Sequence, residues 1–153
     1  MKIVVGFLFI SLTLASTSSL SATIDLSAFK NNEPIESTTC ALDVNKCKSK
    51  ANNGEVEYQY GMAKLYETGS SVLKDPMEAF KWYKKAAKQD YKYAQYKLGL
   101  HYLLAKGSTM CSLMGTCVKQ SNKKAAYWIK LADQNGHEGA KDIWNKYKLW
   151  KYD

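Results

Sequence analysis

The four cysteines are the residues whose type and spacing most directly suggest covalent chemistry. Cys40 and Cys47 lie seven positions apart, and Cys111 and Cys117 lie six apart. An even number of cysteines is typical of disulfide bonding in an exported chain. We expect local pairing within each couple, which stabilises a domain by roughly 2–3 kcal/mol through loop closure. Four cysteines allow three connectivities, and a long-range staple between the two couples remains open.

Metal binding is poorly matched by these residues. Zinc sites combine closely spaced cysteine pairs with further cysteine or histidine ligands, and neither couple has the C-x-x-C spacing. The two histidines, His101 and His137, stand alone, and His137-Glu138 is only a fragment of H-E-x-x-H because residue 141 is lysine. We therefore predict no metal and no cofactor.

Catalytic patterns are missing from the sequence as well. No serine lies in a G-x-S-x-G nucleophile motif, no carboxylates are paired at catalytic spacing, and no glycine loop has the phosphate-binding pattern. We interpret His137 as a surface histidine and His101 as a partly buried scaffold residue. The protein is predicted not to be an enzyme.

The first 22 residues have the pattern of a secretory signal peptide. Lys2 precedes an apolar run over 3–10, and small residues follow up to Ala22. We predict cleavage after Ser21 or Ala22 and a periplasmic or secreted mature chain. No cysteine lies near this site to carry a lipid, so no stable membrane anchor is expected after cleavage. An uncleaved interfacial helix is the alternative.

The charge of the chain is strongly basic and comes entirely from lysine. Lysine and arginine together number 22, none of them arginine, and the net charge is +8. Arginine supplies the planar fork that reads phosphates and guanine edges, so its absence argues against nucleic-acid recognition. The lysines either steer an acidic partner toward the protein or form solvated helix faces.

Two similar segments dominate the middle of the chain. Residues 58–66 resemble residues 94–102, and each is followed by a loop and an amphipathic segment centred on Trp82 or Trp128. A helix–loop–helix unit used twice buries its apolar face by stacking on its copy. We predict an all-α fold, a short α-solenoid of two full repeats plus a C-terminal capping helix. The predicted helices span about 55–67, 76–89, 92–105 and 122–134.

The predicted organisation has three parts. A signal peptide covers 1–22, an irregular N-terminal lead-in with the first cysteine pair covers 23–54, and the repeat domain covers 55–153. Within the lead-in we expect a short helical or turn segment near residues 40–50. The chain is predicted to be a monomer.

The repeat resembles the Sel-one-like repeats, relatives of the tetratricopeptide repeats. The resemblance rests on Gln95-Tyr96, Leu98-Gly99 and Tyr102 in the first helix of the second unit, and on Ala79, Trp82-Tyr83 and Lys85-Ala86-Ala87 in the second helix of the first unit. It implies a protein-binding module whose first helices line a groove. The implied partner-contacting residues are Glu57, Tyr60, Lys64, Glu67, Tyr93, Tyr96, Leu100, Leu103, Asp142 and Lys146.

Two parts of this groove prediction leave alternatives open. Tyr60 and Tyr96 either face a partner or stack between repeats as core. The second repeat also carries ten inserted residues around the second cysteine couple, where Met110, Leu113 and Met114 either contact a partner or pack back on the solenoid.

The combined expectation is an exported adaptor or inhibitor. Its most specific form is a periplasmic immunity protein that binds and occludes a secreted toxin or lipase effector delivered by a type VI secretion system. The alternatives are a secreted host-interaction factor and a periplasmic regulatory adaptor. Relatives that contain cysteines have been linked to penicillin binding, which leaves weak β-lactam binding or hydrolase activity as a further alternative.

Overall fold

The structure, a computed structural model, describes residues 36–105 and 118–153. All regular structure in these two ranges is helical, which confirms the predicted all-α solenoid. The helices are α1 (Glu36–Leu42), α2 (Val44–Asn52), α3 (Val56–Thr68), α4 (Pro76–Ala87), α5 (Lys92–Leu104), α6 (Asn122–Gln134) and α7 (Ala140–Lys146), followed by a 3₁₀ turn at Leu149–Lys151.

The two repeats are helical hairpins that pack in sequence. Helix α3 packs on α4, α5 packs on α6, and contacts between α4 and α5 join the two units. The second helix of the first repeat begins at a strong N-cap, because Asp75 accepts hydrogen bonds from the backbone N–H groups of Met77 at 2.8 Å and Glu78 at 3.1 Å. Pro76 occupies the first helical position, where no N–H is needed.

A small residue permits the close approach of the two helices in the second repeat. A methyl group built on Gly99 of α5 would lie 2.7 Å from Cδ1 and Cγ1 of Ile129 on α6. Ala63 occupies the matching place in α3 and is fully buried. A small buried residue therefore occupies this position in both repeats.

Left-handed residues recur between one hairpin and the next. Gly54, Asp90 and Gly136 have φ values of 95°, 59° and 78°. Their separations equal the lengths of the two repeats, so they hold equivalent places. Asp90 stands where the other two positions have glycine, and its carboxylate Oδ1 accepts a hydrogen bond from the Gln95 amide at 3.2 Å. This bond offsets part of the conformational cost of a left-handed aspartate.

Residues 36–52 form α1 and α2, so the short helical or turn segment expected near residues 40–50 is helical, whereas the irregular structure predicted around it is wrong. Both helices pack against α3. Asp43 caps α2 by accepting a hydrogen bond from the Lys46 N–H at 3.0 Å, and Cys40 and Cys47 are buried and joined by a disulfide. The packing of α1 and α2 depends on the burial of these cysteines against α3. This tertiary contact is not apparent from the Ser/Thr-rich and charged sequence of residues 36–52.

Buried glutamine side chains connect successive layers of the solenoid. The Gln59 amide donates to the Ala51 carbonyl at the end of α2 at 3.2 Å, and the Gln95 amide approaches the Ala87 carbonyl at the end of α4 at 3.4 Å. Because the two bonds are equivalent, α2 stands in the place of a second repeat helix. Helices α1 and α2 therefore extend the solenoid by one shortened hairpin.

The C-terminal end is closed by α7 and the turn that follows it. Helix α7 packs on α6, as predicted for a capping helix. Leu149 in the 3₁₀ turn is fully buried, and Lys130 of α6 forms an ion pair with Asp153. These contacts cover the exposed end of the last repeat.

Candidate protein-binding face

A group of aromatic side chains lies on the part of α5 that keeps contact with solvent. Ala94 and Leu98 of α5 are completely buried, whereas Tyr93, Tyr96 and Leu100 are only half-buried. We call Tyr93, Tyr96 and Leu100, together with His137 from the turn after α6, the aromatic face. These residues pack against the core on one side and remain accessible on the other.

His137 positions the two tyrosines. The Tyr96 ring stacks on the imidazole with centroids 4.0 Å apart and planes inclined by 12°, and Tyr93 meets the same imidazole edge-on at 5.5 Å. The Gly139 N–H donates to His137 Nδ1 at 3.2 Å, which fixes the orientation of the ring. Lys92 anchors the preceding turn through the Gly136 carbonyl at 3.0 Å. The aromatic face is therefore preorganised by α5 and the α6–α7 turn.

Two of the predicted contact residues are removed from this face by burial. Tyr60 is 1% exposed and Leu103 is 5% exposed, so neither is available to a partner in this conformation. Tyr60 instead packs its ring against Tyr83, Tyr91 and Tyr93, with the Tyr93 centroid 6.2 Å away. Tyr60 therefore packs between the repeats as part of the core, one of the two alternatives that the sequence left open. Its contact with Tyr93 links the aromatic face to the first repeat.

The charged residues predicted for the groove differ in exposure, and Asp142 acts directly on the Tyr96 ring. Asp142 and Lys146 on α7 and Glu57 on α3 are exposed, and Lys64 is half-buried. Burial raises the pKa of Tyr96, and the Asp142 carboxylate and Tyr147 raise it further. The Tyr96 hydroxyl therefore stays protonated at neutral pH and can donate a hydrogen bond to a partner. Lys146 lies over the Tyr147 ring at 5.5 Å.

A second polar group joins the two repeats. Glu67 of α3 accepts a hydrogen bond from the Tyr83 hydroxyl at 2.8 Å and one from the Lys97 ammonium of α5 at 3.1 Å. His101 Nε2 lies 4.0 Å from the other carboxylate oxygen and has no hydrogen-bond partner among the described residues. The side chain of His101 is 11% exposed, which agrees with the scaffold role expected for it.

The charge states in this polar group follow from burial and ion pairing. Burial raises the pKa of Glu67, but the Lys97 charge and the Tyr83 hydrogen bond outweigh it, so the net pKa is lowered and the carboxylate is ionised at neutral pH. Burial also lowers the pKa of His101, against the pull of Glu67, so this imidazole is neutral. The group holds a partly buried salt bridge between repeats and contains no activated nucleophile.

Sequence reasoning overlooked the role of His137 and the pairing of Glu67 with Lys97. The interpretation of His137 as a simple surface histidine is wrong, because its ring is half-buried and stacks with Tyr96. The position of His137 directly after Gly136, in the turn toward α7, is the feature of the sequence that could have indicated this role. No local pattern marks Glu67 and Lys97, which are 30 residues apart and meet only when the repeats stack.

The remaining predicted contacts lie in the inserted loop. Met110, Leu113, Met114, Cys111 and Cys117 fall outside the described residues, so their predicted contacts and pairing stay predictions. In the described ranges no three His, Cys, Asp or Glu residues are grouped closely enough to hold a metal ion. None of the helices in those ranges has the length and apolar character that a membrane crossing requires.

These features define a class: a short α-solenoid with a half-buried aromatic face. The family model described as Sel1 repeat matches residues 56–91 and 92–137, more than half of the chain. The chain belongs to the Sel1 repeat family, as its motifs predicted. Sel1 repeats generally mediate protein–protein interaction and are generally not enzymes, which supports a protein-interaction module. No curated protein sequence matches the chain significantly.

Proposed function

We propose that the protein binds another protein through the aromatic face. The observation that carries this proposal is the stack of Tyr96 on His137, with Tyr93 edge-on to the same ring. Half-exposed tyrosines that are already held in place lose little conformational entropy on binding, and such residues dominate protein interfaces energetically. Acidic and basic side chains around them, at Asp142 and Lys146, supply a polar rim.

The finer proposal is that the protein is an exported immunity protein. It would bind a secreted toxin or lipase effector in the periplasm and occlude the active-site cleft of that enzyme. The signal-peptide pattern of residues 1–22, the basic net charge and the lack of catalytic motifs in the sequence support this role. Inhibition by occlusion needs only affinity and shape, so the chain requires no catalytic group of its own.

The test is affinity capture with the full chain, expressed so that it is exported, from periplasmic and co-culture extracts. A captured secreted enzyme would then be purified and its activity titrated against the protein. We expect complete inhibition at a one-to-one ratio. Tyr96→Ala should weaken binding by about thirtyfold, the usual effect of removing an interface anchor. Tyr127→Ala is the matched control, because Tyr127 is 57% exposed on α6 and lies outside the aromatic face.

Other outcomes assign other functions. Capture of the periplasmic part of a membrane sensor would replace the immunity role by that of a regulatory adaptor. Recovery of the protein in culture medium, bound to a host protein, would make it a host-interaction factor. Hydrolysis of a β-lactam or a lipid by the purified protein, lost on changing one polar residue, would overturn the proposal that it is not an enzyme. An equal effect of Tyr96→Ala and Tyr127→Ala would contradict the location of the binding face.

A further inference from the structure

A row of lysines follows the repeat along α2, α4 and α6. The equivalence of these helices rests on the bonds to the Ala51 and Ala87 carbonyls and on the left-handed residues that follow each helix. Counting by the same repeat lengths places Lys48, Lys84 and Lys130 at equivalent positions. All three side chains are exposed. Equivalent positions in a stacked array line up on one face, so the three lysines form a row across it.

Three further lysines, each about one or two helical turns from these positions, enlarge the positively charged surface. Lys81 on α4 and Lys88, the residue directly after α4, lie one turn to either side of Lys84, and Lys123 lies two turns before Lys130 on α6. We call these six residues the lysine row. No aspartate or glutamate occupies the three- and four-residue spacings around Lys48 and Lys84 within these helices, whereas Asp133 lies three residues after Lys130 on α6.

Acidic neighbours neutralise only part of the row. Lys81 pairs with Glu78, and Lys130 pairs with Asp153. The side chains of Lys81 and Lys130 nevertheless remain 59% and 46% exposed. The other four lysines form no salt bridge with a described residue, so the face keeps a net positive charge over three helices.

An exposed aromatic ring accompanies the row. Tyr127 lies one turn before Lys130 on α6 and is 57% exposed. Tyrosine combines an apolar ring with a polar tip and is enriched where protein meets the headgroup region of a bilayer. Lysine stems likewise lie along apolar surface while the ammonium group stays in the polar layer.

We propose that the lysine row docks the protein on an anionic phospholipid bilayer. A surface three helices wide that carries ammonium groups complements a layer of negatively charged headgroups, and each lysine near such a surface adds to the attraction. Lysine acts as a point charge and suits a layer of phosphates without fixed geometry, whereas a site for one defined phosphate would favour arginine forks. Such binding is peripheral and reversible, and requires no membrane-crossing helix.

This inference is independent of the proposed partner binding. The lysine row lies on α2, α4 and α6, whereas the aromatic face lies on α5 and the turn before α7. The two sites share no residue. Tyr96→Ala should therefore leave bilayer binding unchanged while it weakens partner capture, so that failure of one proposal is separable from failure of the other.

The test is co-sedimentation of the exported full-chain protein with vesicles of phosphatidylcholine containing about one-third phosphatidylglycerol, a fraction that gives a surface potential of the physiological kind. Pure phosphatidylcholine vesicles serve as the neutral control. We expect binding to the anionic vesicles alone and a loss of about tenfold or more when ionic strength rises from about 0.05 to 0.3 M, because screening shortens the reach of the charges. Absence of binding to the anionic vesicles, or equal binding to the neutral ones, would overturn the proposal.

A pair of triple variants distinguishes the row from net charge. Lys48→Gln/Lys84→Gln/Lys130→Gln should weaken vesicle binding by about a hundredfold, since each lysine contributes about fivefold. Lys74→Gln/Lys119→Gln/Lys141→Gln removes the same charge from exposed positions outside the row and should change binding by less than about threefold. Equal losses in the two variants would show that net charge alone acts and would refute the row. Thermal unfolding of both variants verifies that these surface changes leave the fold intact.

Discussion

The side-chain amide of Asn135 donates to the amide oxygen of Gln95 at 2.8 Å, which joins the end of α6 to α5. One repeat earlier, Gln89 makes the equivalent bond to Gln59 at 2.9 Å. Gln59 and Gln95 also donate to a carbonyl in the last turn of the preceding second helix, that of Ala51 or Ala87. The amide chain thus connects three consecutive layers and adds a side-chain donor to carbonyls that the turns also use.

Gln95→Met should lower the free energy of unfolding by about 2–3 kcal/mol. Gln95 is fully buried, and its loss removes the hydrogen bonds that its side chain forms with Asn135, Asp90 and the Ala87 carbonyl. Urea unfolding followed by far-UV circular dichroism measures the change. Gln134→Met, at an exposed position of α6, is the control and should stay within about 0.5 kcal/mol. A similar small effect for Gln95→Met would contradict the role of the amide chain.

Gly99→Ala should destabilise the protein by about 1–3 kcal/mol although alanine favours helices. The added methyl would meet Ile129 Cδ1 and Cγ1 at 2.7 Å and the Ile129 backbone nitrogen at 3.3 Å. Thermal and urea unfolding of Gly99→Ala, Ile129→Ala and the double variant complete a mutant cycle. The double variant should lose less than the sum of the single changes. Strict additivity would show that the methyl and Ile129 do not collide.

The unfolding free energy should fall as the pH drops below about 6.5, the ordinary histidine value. Burial lowers the pKa of His101 in the folded protein, so the unfolded chain binds this proton more tightly and gains population on acidification. Burial lowers the pKa of His137 in the same direction. Urea unfolding at a series of pH values between about 5 and 8 measures the slope.

The contribution of each histidine is separable by substitution. His101→Phe should reduce the pH slope in this range, and His137→Asn should remove only the smaller part that the less buried ring contributes. A wild-type slope in His101→Phe would contradict the assignment. Glu67 acts at lower pH, because its lowered pKa gives stability that is present above the ordinary carboxyl value and lost as the pH falls through the folded one.

Replacing the N-terminal disulfide should weaken the first layer of the solenoid. Cys40→Ala/Cys47→Ala removes the link between α1 and α2 and should cost about 2–3 kcal/mol. We expect faster proteolysis within residues 36–52, monitored by mass spectrometry, before cleavage in α3 to α6. The substitution is preferable to a reducing agent, because a reducing agent would also cleave the disulfide predicted between Cys111 and Cys117. Ser49→Ala, exposed on α2, should leave the cleavage pattern unchanged.

The sequence predicted the two repeats because their signals are local. Asp75-Pro76 caps α4, Gly99 permits a close helix contact, and Gly136 ends the second hairpin, so each boundary follows from residues within a few positions of it. Predicted helices at about 76–89 and 92–105 correspond to Pro76–Ala87 and Lys92–Leu104. For the first hairpin, α1 and α2, the sequence predicted only a short helical or turn segment near residues 40–50, because the burial of Cys40 and Cys47 depends on contacts with α3.

The sequence alone therefore determined the family, the helix order and the lysine-only basic charge, since these depend on composition and on spacing along the chain. The tertiary structure decided which predicted contacts are accessible: it buried Tyr60 and Leu103 and kept Tyr93 and Tyr96 half-exposed on His137. It also brought Lys97 to Glu67 across the repeat boundary. Exposure and long-range pairing arise only when the helices stack, because each depends on atoms supplied by another repeat.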